Sequence, residues 1–289
     1  MLSSEWEPDQ FTRLTCLIGH PIDQSPSPIM HNEAFKAAGI NAIYLAFDVL
    51  QSSLKQAVFG MRALNILGFN VTIPHKVSII DLLDGVDQQA KDVGAVNTVV
   101  NRGGRLKGYN TDVTGVSGAF NRNGISVSGR TALILGAGGA ARACLAALIA
   151  EGCKKFLVLN RTLRRARSLE KEFTRKHGIK CVATKLTTAA IREACRSSDI
   201  VVNATPIGTY PKVDESIVPN ECLTRDHIVF DVVYKPVRTK LIEEASKAGA
   251  TVIPGLEMLV EQGAAAFKLW TRRDSPTQIM RRAVESVLS

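Results

Sequence analysis

Gly136, Gly138 and Ala141 stand in the spacing G-x-G-x-x-G/A, between an apolar run at residues 132–135 and an Ala/Leu-rich stretch of helical spacing. In that strand-turn-helix context each small residue has a task. The first permits a tight turn, the second lets backbone N–H groups approach a pyrophosphate, and the third lets helix and strand pack closely. The helix N-terminus adds unpaired donors and the positive end of its dipole. The chemistry this spacing points to is dinucleotide binding. A following strand reads at residues 156–159, and at its end an acidic residue would accept bonds from a ribose 2′-OH. The chain instead has Asn160-Arg161-Thr162, then Arg164 and Arg165. An arginine fork there attracts a 2′-phosphate and selects NADP over NAD. The bland alternative is that these arginines are the solvated face of a helix at 162–176, which also carries Arg167, Lys171, Arg175 and Lys176.

A second group of polar side chains collects where apolar strands end in the N-terminal part of the chain. Ser25 and Ser27 fall in a loop with Pro26 and Pro28; Asn70, Thr72 and Lys76 come next, then Asn97, then Asn110 and Asp112. Ligands of open α/β sheets bind outside the carboxyl ends of strands, so this set is a candidate small-molecule site. Two hydroxyls two residues apart can point at one carboxylate, or can simply form and cap a turn. Lys76 and Asp112 together supply what oxidation of an alcohol beside a nicotinamide requires. One group moves the hydroxyl proton while a carboxylate orients its partner and tunes its pKa. Taken singly, such a lysine is a surface residue and such an aspartate an N-cap. His31 and His75 lie nearby but read as a helical-surface and a strand-end histidine.

The elements that must position these residues alternate regularly. Residues 14–19 read as a strand and 30–38 as a helix, because Pro26 and Pro28 disfavour helix at the positions before them. A strand at 42–49, a helix at 52–64 and a strand at 68–74 complete a βαβαβ rhythm, which predicts a parallel sheet covered by helices. Strands at 96–100 and 105–109 around Asn101-Arg102-Gly103-Gly104 predict a hairpin. A helix at 112–123 leads to the glycine turn, after which further strands read at 199–203, 228–232 and 251–253, and final helices near 255–270 and 276–287. The fold class is α/β with two domains, the second a Rossmann domain with a doubly wound parallel sheet.

Composition narrows the function classes. The chain has 289 residues, 45% hydrophobic and 22% charged, which suits a globular protein of two domains. A net charge of +9 raises nucleic acid as a partner, but the basic residues cluster on one helix and near the C-terminus with few aromatics between them. That is a poor stacking platform, so no nucleic-acid partner is expected. The first residues lack the basic start and apolar core of a signal peptide. The most apolar window, 131–150, is interrupted by Gly136, Gly138, Gly139 and Arg142, so no membrane partner is expected. Six cysteines, at 16, 144, 153, 181, 195 and 222, show no C-x-x-C or ligand-like spacing. A reduced, cytoplasmic, metal-free protein is the expectation.

Several motifs together resemble the shikimate dehydrogenase family. They are SPSPIMHN (25–32), NVTIPHK (70–76), AVNT (95–98), GYNTDVTG (108–115), GAGGAAR (136–142), NRT (160–162), NATPIG (203–208), DVVYKPVRT (231–239) and GLEMLVEQGAAAF (255–267), in the family's order. The resemblance implies NADPH-dependent, reversible reduction of 3-dehydroshikimate to shikimate in aromatic amino-acid biosynthesis. It implies that Ser25 and Ser27 hold the substrate carboxylate with Tyr234 assisting, and that Asn70, Thr72, Asn97, Asp112 and Gln262 hold ring hydroxyls. Lys76 and Asp112 would form the catalytic pair. The cofactor positions carry over as Gly136, Gly138, Gly139, Ala140, Asn160, Arg161, Thr162 and Arg165, with Thr205, Pro206, Val232 and Gly255 on the nicotinamide side. The family pattern also implies a substrate-binding and catalytic domain at 1–112, completed by helices at 256–289, and an NADP-binding domain at 113–255. A homodimer is a possible assembly. The rivals are a quinate/shikimate dehydrogenase with broader substrate or NAD use, and a non-catalytic dinucleotide sensor, against which Lys76 and Asp112 argue.

Overall fold

The structure is a computed structural model that describes residues 7–288. These divide into two compact units: the residues up to Thr111 with Gln262–Leu288, and Asp112–Glu261.

In the first unit, β1 (Arg13–Gly19), α1 (Ser27–Ala37), β2 (Ala42–Asp48), α2 (Leu54–Ala63) and β3 (Gly68–Val71) alternate, and β4 (Gly85–Val86), α3 (Gln88–Val93), β5 (Thr98–Arg102) and β6 (Arg105–Tyr109) follow. The sheet order is β2-β1-β3-β5-β6-β4. Strands β2, β1 and β3 are parallel, as the alternation predicts. The hairpin makes the sheet mixed: β5 runs antiparallel to both β3 and β6. One apolar cluster, including Cys16, Ile18, Val58, Phe69, Val71, Val96, Val99 and Leu106, packs under this sheet.

Helix α1 begins at Ser27, three residues before the expected start, with Pro28 inside its first turn. The preference of a pre-proline residue for extended backbone is overridden here, because a first-turn proline needs no N–H and its fixed φ suits a helix start. Ser27 is thereby placed on the helix itself.

The second unit starts with α4 (Thr111–Arg122), of which Thr111 belongs to the first unit, and continues through β7 (Thr131–Leu135), α5 (Gly139–Ala150), β8 (Lys155–Asn160), α6 (Leu163–His177), β9 (Lys180–Lys185), α7 (Thr188–Arg196), β10 (Ile200–Asn203), β11 (Ile228–Asp231), α8 (Lys240–Lys247) and β12 (Thr251–Ile253). Its six strands are all parallel, in the order β12-β11-β10-β7-β8-β9. Counted from β7 along the chain this is the 3-2-1-4-5-6 order of the doubly wound dinucleotide fold. Strands buried on both faces read as unbroken apolar runs, which is why β7, Thr-Ala-Leu-Ile-Leu, is visible in the sequence. Strand β9 and helices α7 and α8 are not foreseen: β9 exposes most of its residues, and the two helices are short and amphipathic.

Helix α9 (Gly255–Thr271) and helix α10 (Thr277–Leu288) close the described chain. Helix α10 packs on α1 within the first unit.

Candidate active site

In the first unit the carboxyl ends of β1, β3 and β6 and the amino end of the antiparallel β5 carry the polar set. Ser25 Oγ accepts the Ser27 backbone N–H at 3.3 Å, so the first serine caps the second across the start of α1. Pro26, the N-cap, offers no side-chain cap bond, and Pro28 in the first turn has no N–H to satisfy. The turn after β3 is pinned throughout. Thr72 N–H donates to Ile18 O at 2.9 Å, His75 N–H to Thr72 O at 2.9 Å, and Val96 N–H to Lys76 O at 2.7 Å. The buried His75 ring bonds Val49 O through Nε2 at 2.6 Å, so it is a structural pin for this turn. Lys76 emerges half-buried from it.

Behind these residues lies a buried network. Asn70 Nδ2 donates to Asn97 O at 3.1 Å and to Thr98 Oγ1 at 2.9 Å, and its Oδ1 accepts from Tyr44 O–H at 2.8 Å. Asn97 Nδ2 donates to Thr111 Oγ1 at 3.0 Å, while its Oδ1 accepts from Thr111 N–H at 2.7 Å and Thr98 O–H at 3.1 Å. Asn110 Nδ2 donates to Ala95 O at 2.8 Å. Asn97 and Asn110 thus hold the chain where β6 gives way to α4. Asp112 follows as a buried carboxylate in the first helical turn, two positions past the N-cap rather than at it as the sequence allows. Helix dipoles favour a negative charge there. Gln262 is half-buried on α9.

His31 is a correction to the sequence reading. It is fully buried rather than on a helix surface, stacked on Tyr44 at 4.5 Å between ring centroids. Among the described residues neither ring nitrogen has a hydrogen-bond partner, and burial pushes its pKa down to about 3. A neutral imidazole packed among rings is not a catalytic acid at physiological pH.

In the second unit the glycine turn sits at the end of β7. Gly136 has φ +115°, and a Cβ on it would come within 2.7 Å of Ala204 O, so the turn itself requires glycine. Gly138 differs: its φ of −95° and ψ of −167° suit any residue, and a Cβ there would meet no heavy atom within 4 Å. The protein has no packing reason for glycine at 138. Gly138 is the N-cap of α5 with no side-chain cap bond, and Gly139 and Ala140 form the first helical turn. Ala141 is buried against the sheet, as the small third position requires.

Thr162, the N-cap of α6, also makes no side-chain cap bond. Asn160 Nδ2 donates to Thr162 O at 3.0 Å and shapes the turn that presents Arg161. Arg161 and Arg165 are exposed, and among the described residues neither has a carboxylate partner. Arg142 is committed elsewhere, bonded to Glu172 at 2.8 Å across α5 and α6.

A buried acid organises the neighbouring loops. Asp231, at the end of β11, accepts from Asn203 Nδ2 at 2.9 Å, Val233 N–H at 3.0 Å and Thr239 O–H at 2.6 Å. Burial outweighs these bonds and raises its pKa to about 6. Asn203 Oδ1 in turn accepts from the Thr205 N–H and hydroxyl, and its Nδ2 reaches Ile207 O at 3.0 Å, which fixes the loop through Thr205 and Pro206. Val232 N–H bonds Asn203 O at 2.9 Å. Gly255 would bring a Cβ within 2.6 Å of Val232 O, so close backbone approach already accounts for it. Burial raises the Tyr234 phenol above its ordinary pKa and keeps it a neutral donor.

Sequence reasoning missed Tyr44, Thr98, Thr111 and Asp231. Each lies in or beside an apolar strand, and nothing in the spacing of a lone tyrosine or threonine announces a hydrogen bond to a distant asparagine. Asp231 and Thr239 do open and close the DVVYKPVRT motif, which was the available signal.

A parallel sheet wound in this order, with an uncapped helix at its glycine turn and two unpaired arginines after the next strand, defines a dinucleotide-binding α/β protein. Family models for the shikimate dehydrogenase substrate-binding domain, for shikimate/quinate 5-dehydrogenase and for the shikimate 5'-dehydrogenase C-terminal domain match residues 17–99, 119–233 and 255–285. A shikimate dehydrogenase (NADP(+)) of Methanopyrus kandleri is 46% identical over 278 residues, 96% of each chain. A crystal structure of a shikimate dehydrogenase in complex with NADP+ is 41% identical with a TM-score of 0.90 over 98% of both chains. The shikimate 5-dehydrogenase of Thermus thermophilus, in complex with NADP(H) and shikimate, is 36% identical with a TM-score of 0.86, over 96% of this chain and all of that one (100%). The chain belongs to the shikimate dehydrogenase family.

Proposed function

We propose that this chain is an NADP-dependent shikimate dehydrogenase, which reversibly reduces 3-dehydroshikimate to shikimate in aromatic amino-acid biosynthesis. The observation that carries the reading is identity of 46% with a shikimate dehydrogenase (NADP(+)) across 96% of both chains. The donor set fits the cofactor. The open side of Gly138 leaves room for a pyrophosphate against the α5 N-terminus, and Arg161 and Arg165 match a 2′-phosphate. When bound, NADP supplies the acceptor or donor of the hydride.

The remaining chemistry falls to side chains. Ser25 and Ser27, at the start of α1, receive the substrate carboxylate, with Tyr234 as a neutral donor. Thr72, Asn97, Asp112 and Gln262 orient ring hydroxyls. Asn70 has both amide protons committed, so it meets substrate only as an acceptor, through the second lone pair of Oδ1. As the carbonyl is reduced, negative charge develops on its oxygen. The Lys76 ammonium stabilises and protonates that oxygen, while Asp112 orients both partners. No helix among the described residues is long and apolar enough to cross a membrane. None of the six cysteines, all among the described residues, forms a disulfide, which suits a cytoplasmic enzyme.

The test is the absorbance of reduced nicotinamide with shikimate or quinate as substrate, and NADP or NAD as cofactor. Rapid reduction of NADP by shikimate is expected; equal rates with quinate and NAD would favour the quinate/shikimate enzyme instead. Lys76→Ala should lower kcat by about 10²-fold or more, the usual worth of a positioned acid or base. Loss of less than about tenfold would remove the assigned role.

A further inference from the structure

Resting on that reading, we infer that Tyr44 is a positioning residue for substrate: through its hydroxyl it fixes the orientation of the Asn70 amide in the substrate-binding domain. Tyr44 lies in the middle of β2 and is fully buried. Its ring is held by His31, stacked on it at 4.5 Å and 15°, and by Trp270 at 6.0 Å, while Asn32 pairs with its backbone along one strand edge, Nδ2 to Tyr44 O at 3.0 Å and Tyr44 N–H to Oδ1 at 2.7 Å. Trp270 is itself anchored by its indole N–H on Val99 O at 3.0 Å. The phenol held this way donates its proton to Asn70 Oδ1 at 2.8 Å.

The consequence lies in the Asn70 amide. An asparagine side chain has two near-isosteric orientations, and its partners choose between them. Here Nδ2 faces Asn97 O and Thr98 Oγ1, and Oδ1 faces the Tyr44 hydroxyl. Without that hydroxyl Oδ1 has no donor among the described residues, and one of the bonds that decide the orientation is gone. Burial keeps the phenol neutral and therefore a donor. Ser27 lies against the same phenol oxygen, so Tyr44 touches two of the proposed substrate residues at once. His31, with no polar partner of its own, serves as packing for the tyrosine.

The variant is Tyr44→Phe, with His31→Phe as the packing control and Asn70→Ala completing a double-mutant cycle. Asn70 would touch a part of the substrate that does not react, so its disorder weakens ground state and transition state alike and appears in KM. Tyr44→Phe should raise the KM for shikimate about tenfold, the usual worth of one hydrogen bond, with kcat within about threefold and the KM for NADP unchanged. In the Asn70→Ala background the same change should have no further effect on KM. His31→Phe should leave the KM for shikimate at the wild-type value. The role is refuted if Tyr44→Phe lowers the melting temperature but leaves KM unchanged, if the two changes add fully, or if His31→Phe raises KM as much. The wild type in the same series separates this inference from the functional reading. No turnover of shikimate by the wild type refutes both, whereas wild-type turnover with unaltered Tyr44→Phe kinetics refutes the role of Tyr44 alone.

Discussion

Replacing Gly136 and Gly138 by alanine, one at a time, separates a glycine that the fold needs from one that the cofactor needs. At Gly136 the φ of +115° is unfavourable for any L side chain, and the new Cβ would sit 2.7 Å from Ala204 O and 3.0 Å from its carbonyl carbon, both backbone atoms that cannot rotate away. Strain of this kind costs ~1–3 kcal/mol for the dihedral alone, before the overlap is relieved. At Gly138 the backbone is extended and the Cβ would enter open space. Folding stability should change there by less than about 1 kcal/mol, with a gain if the unfolded chain loses freedom. The cofactor should report the opposite ranking for Gly138. A methyl group at the α5 N-cap holds a pyrophosphate away from backbone donors, and a hydrogen bond to a charged group is worth ~1.5–3 kcal/mol. The expected loss is about 10- to 150-fold in NADP affinity from Gly138→Ala, in a protein as stable as the wild type. Calorimetric titration with NADP and thermal unfolding with and without it measure both quantities. If Gly138→Ala binds NADP within twofold of the wild type, or unfolds as readily as Gly136→Ala, the assignment of the open face to the cofactor is wrong.

Arg161→Ala and Arg165→Ala should each raise the KM for NADP by about tenfold or more and leave that for NAD unchanged, since only NADP carries the phosphate the fork would bind. Equal effects on the two cofactors in initial-rate assays would return these arginines to the role of a solvated helix face. The buried Asp231 predicts a pH dependence of stability. Its folded pKa is raised from 3.8 to about 6, so its neutral form is favoured in the fold; the associated stability is fully present below pH 3.8 and is lost as pH rises through about 6, a loss of ~3 kcal/mol. Asp231→Asn keeps an acceptor for Asn203 and Val233 and removes the titration. Urea unfolding should therefore favour the variant over the wild type by ~2 kcal/mol more at pH 7 than at pH 4, and a difference independent of pH would contradict the assignment.

The local, short-range features are legible in the chain alone. The glycine spacing, the apolar runs of β7 and β8, the arginines after β8 and the hairpin at Asn101–Gly104 depend on neighbours within a few residues, and so can be read without coordinates. The start of α1 is not legible there, because proline has opposite meanings inside a helix and in its first turn, and only the packing of Ser27 and Met30 into the core decides between them. Long-range pairing decided the rest. Whether His31 faced solvent depended on Tyr44 and Trp270, distant in sequence. The orientation of Asn70 depended on Tyr44, Asn97 and Thr98, on two other strands of the sheet and in the turn before β5. Gly136 and Gly138 look alike in the motif, yet one approaches the backbone of Ala204 and the other faces open space. Residue type and spacing can name a chemistry; which atoms are already spent on the protein, and which are left for a ligand, follows only when the chain has brought its distant strands together.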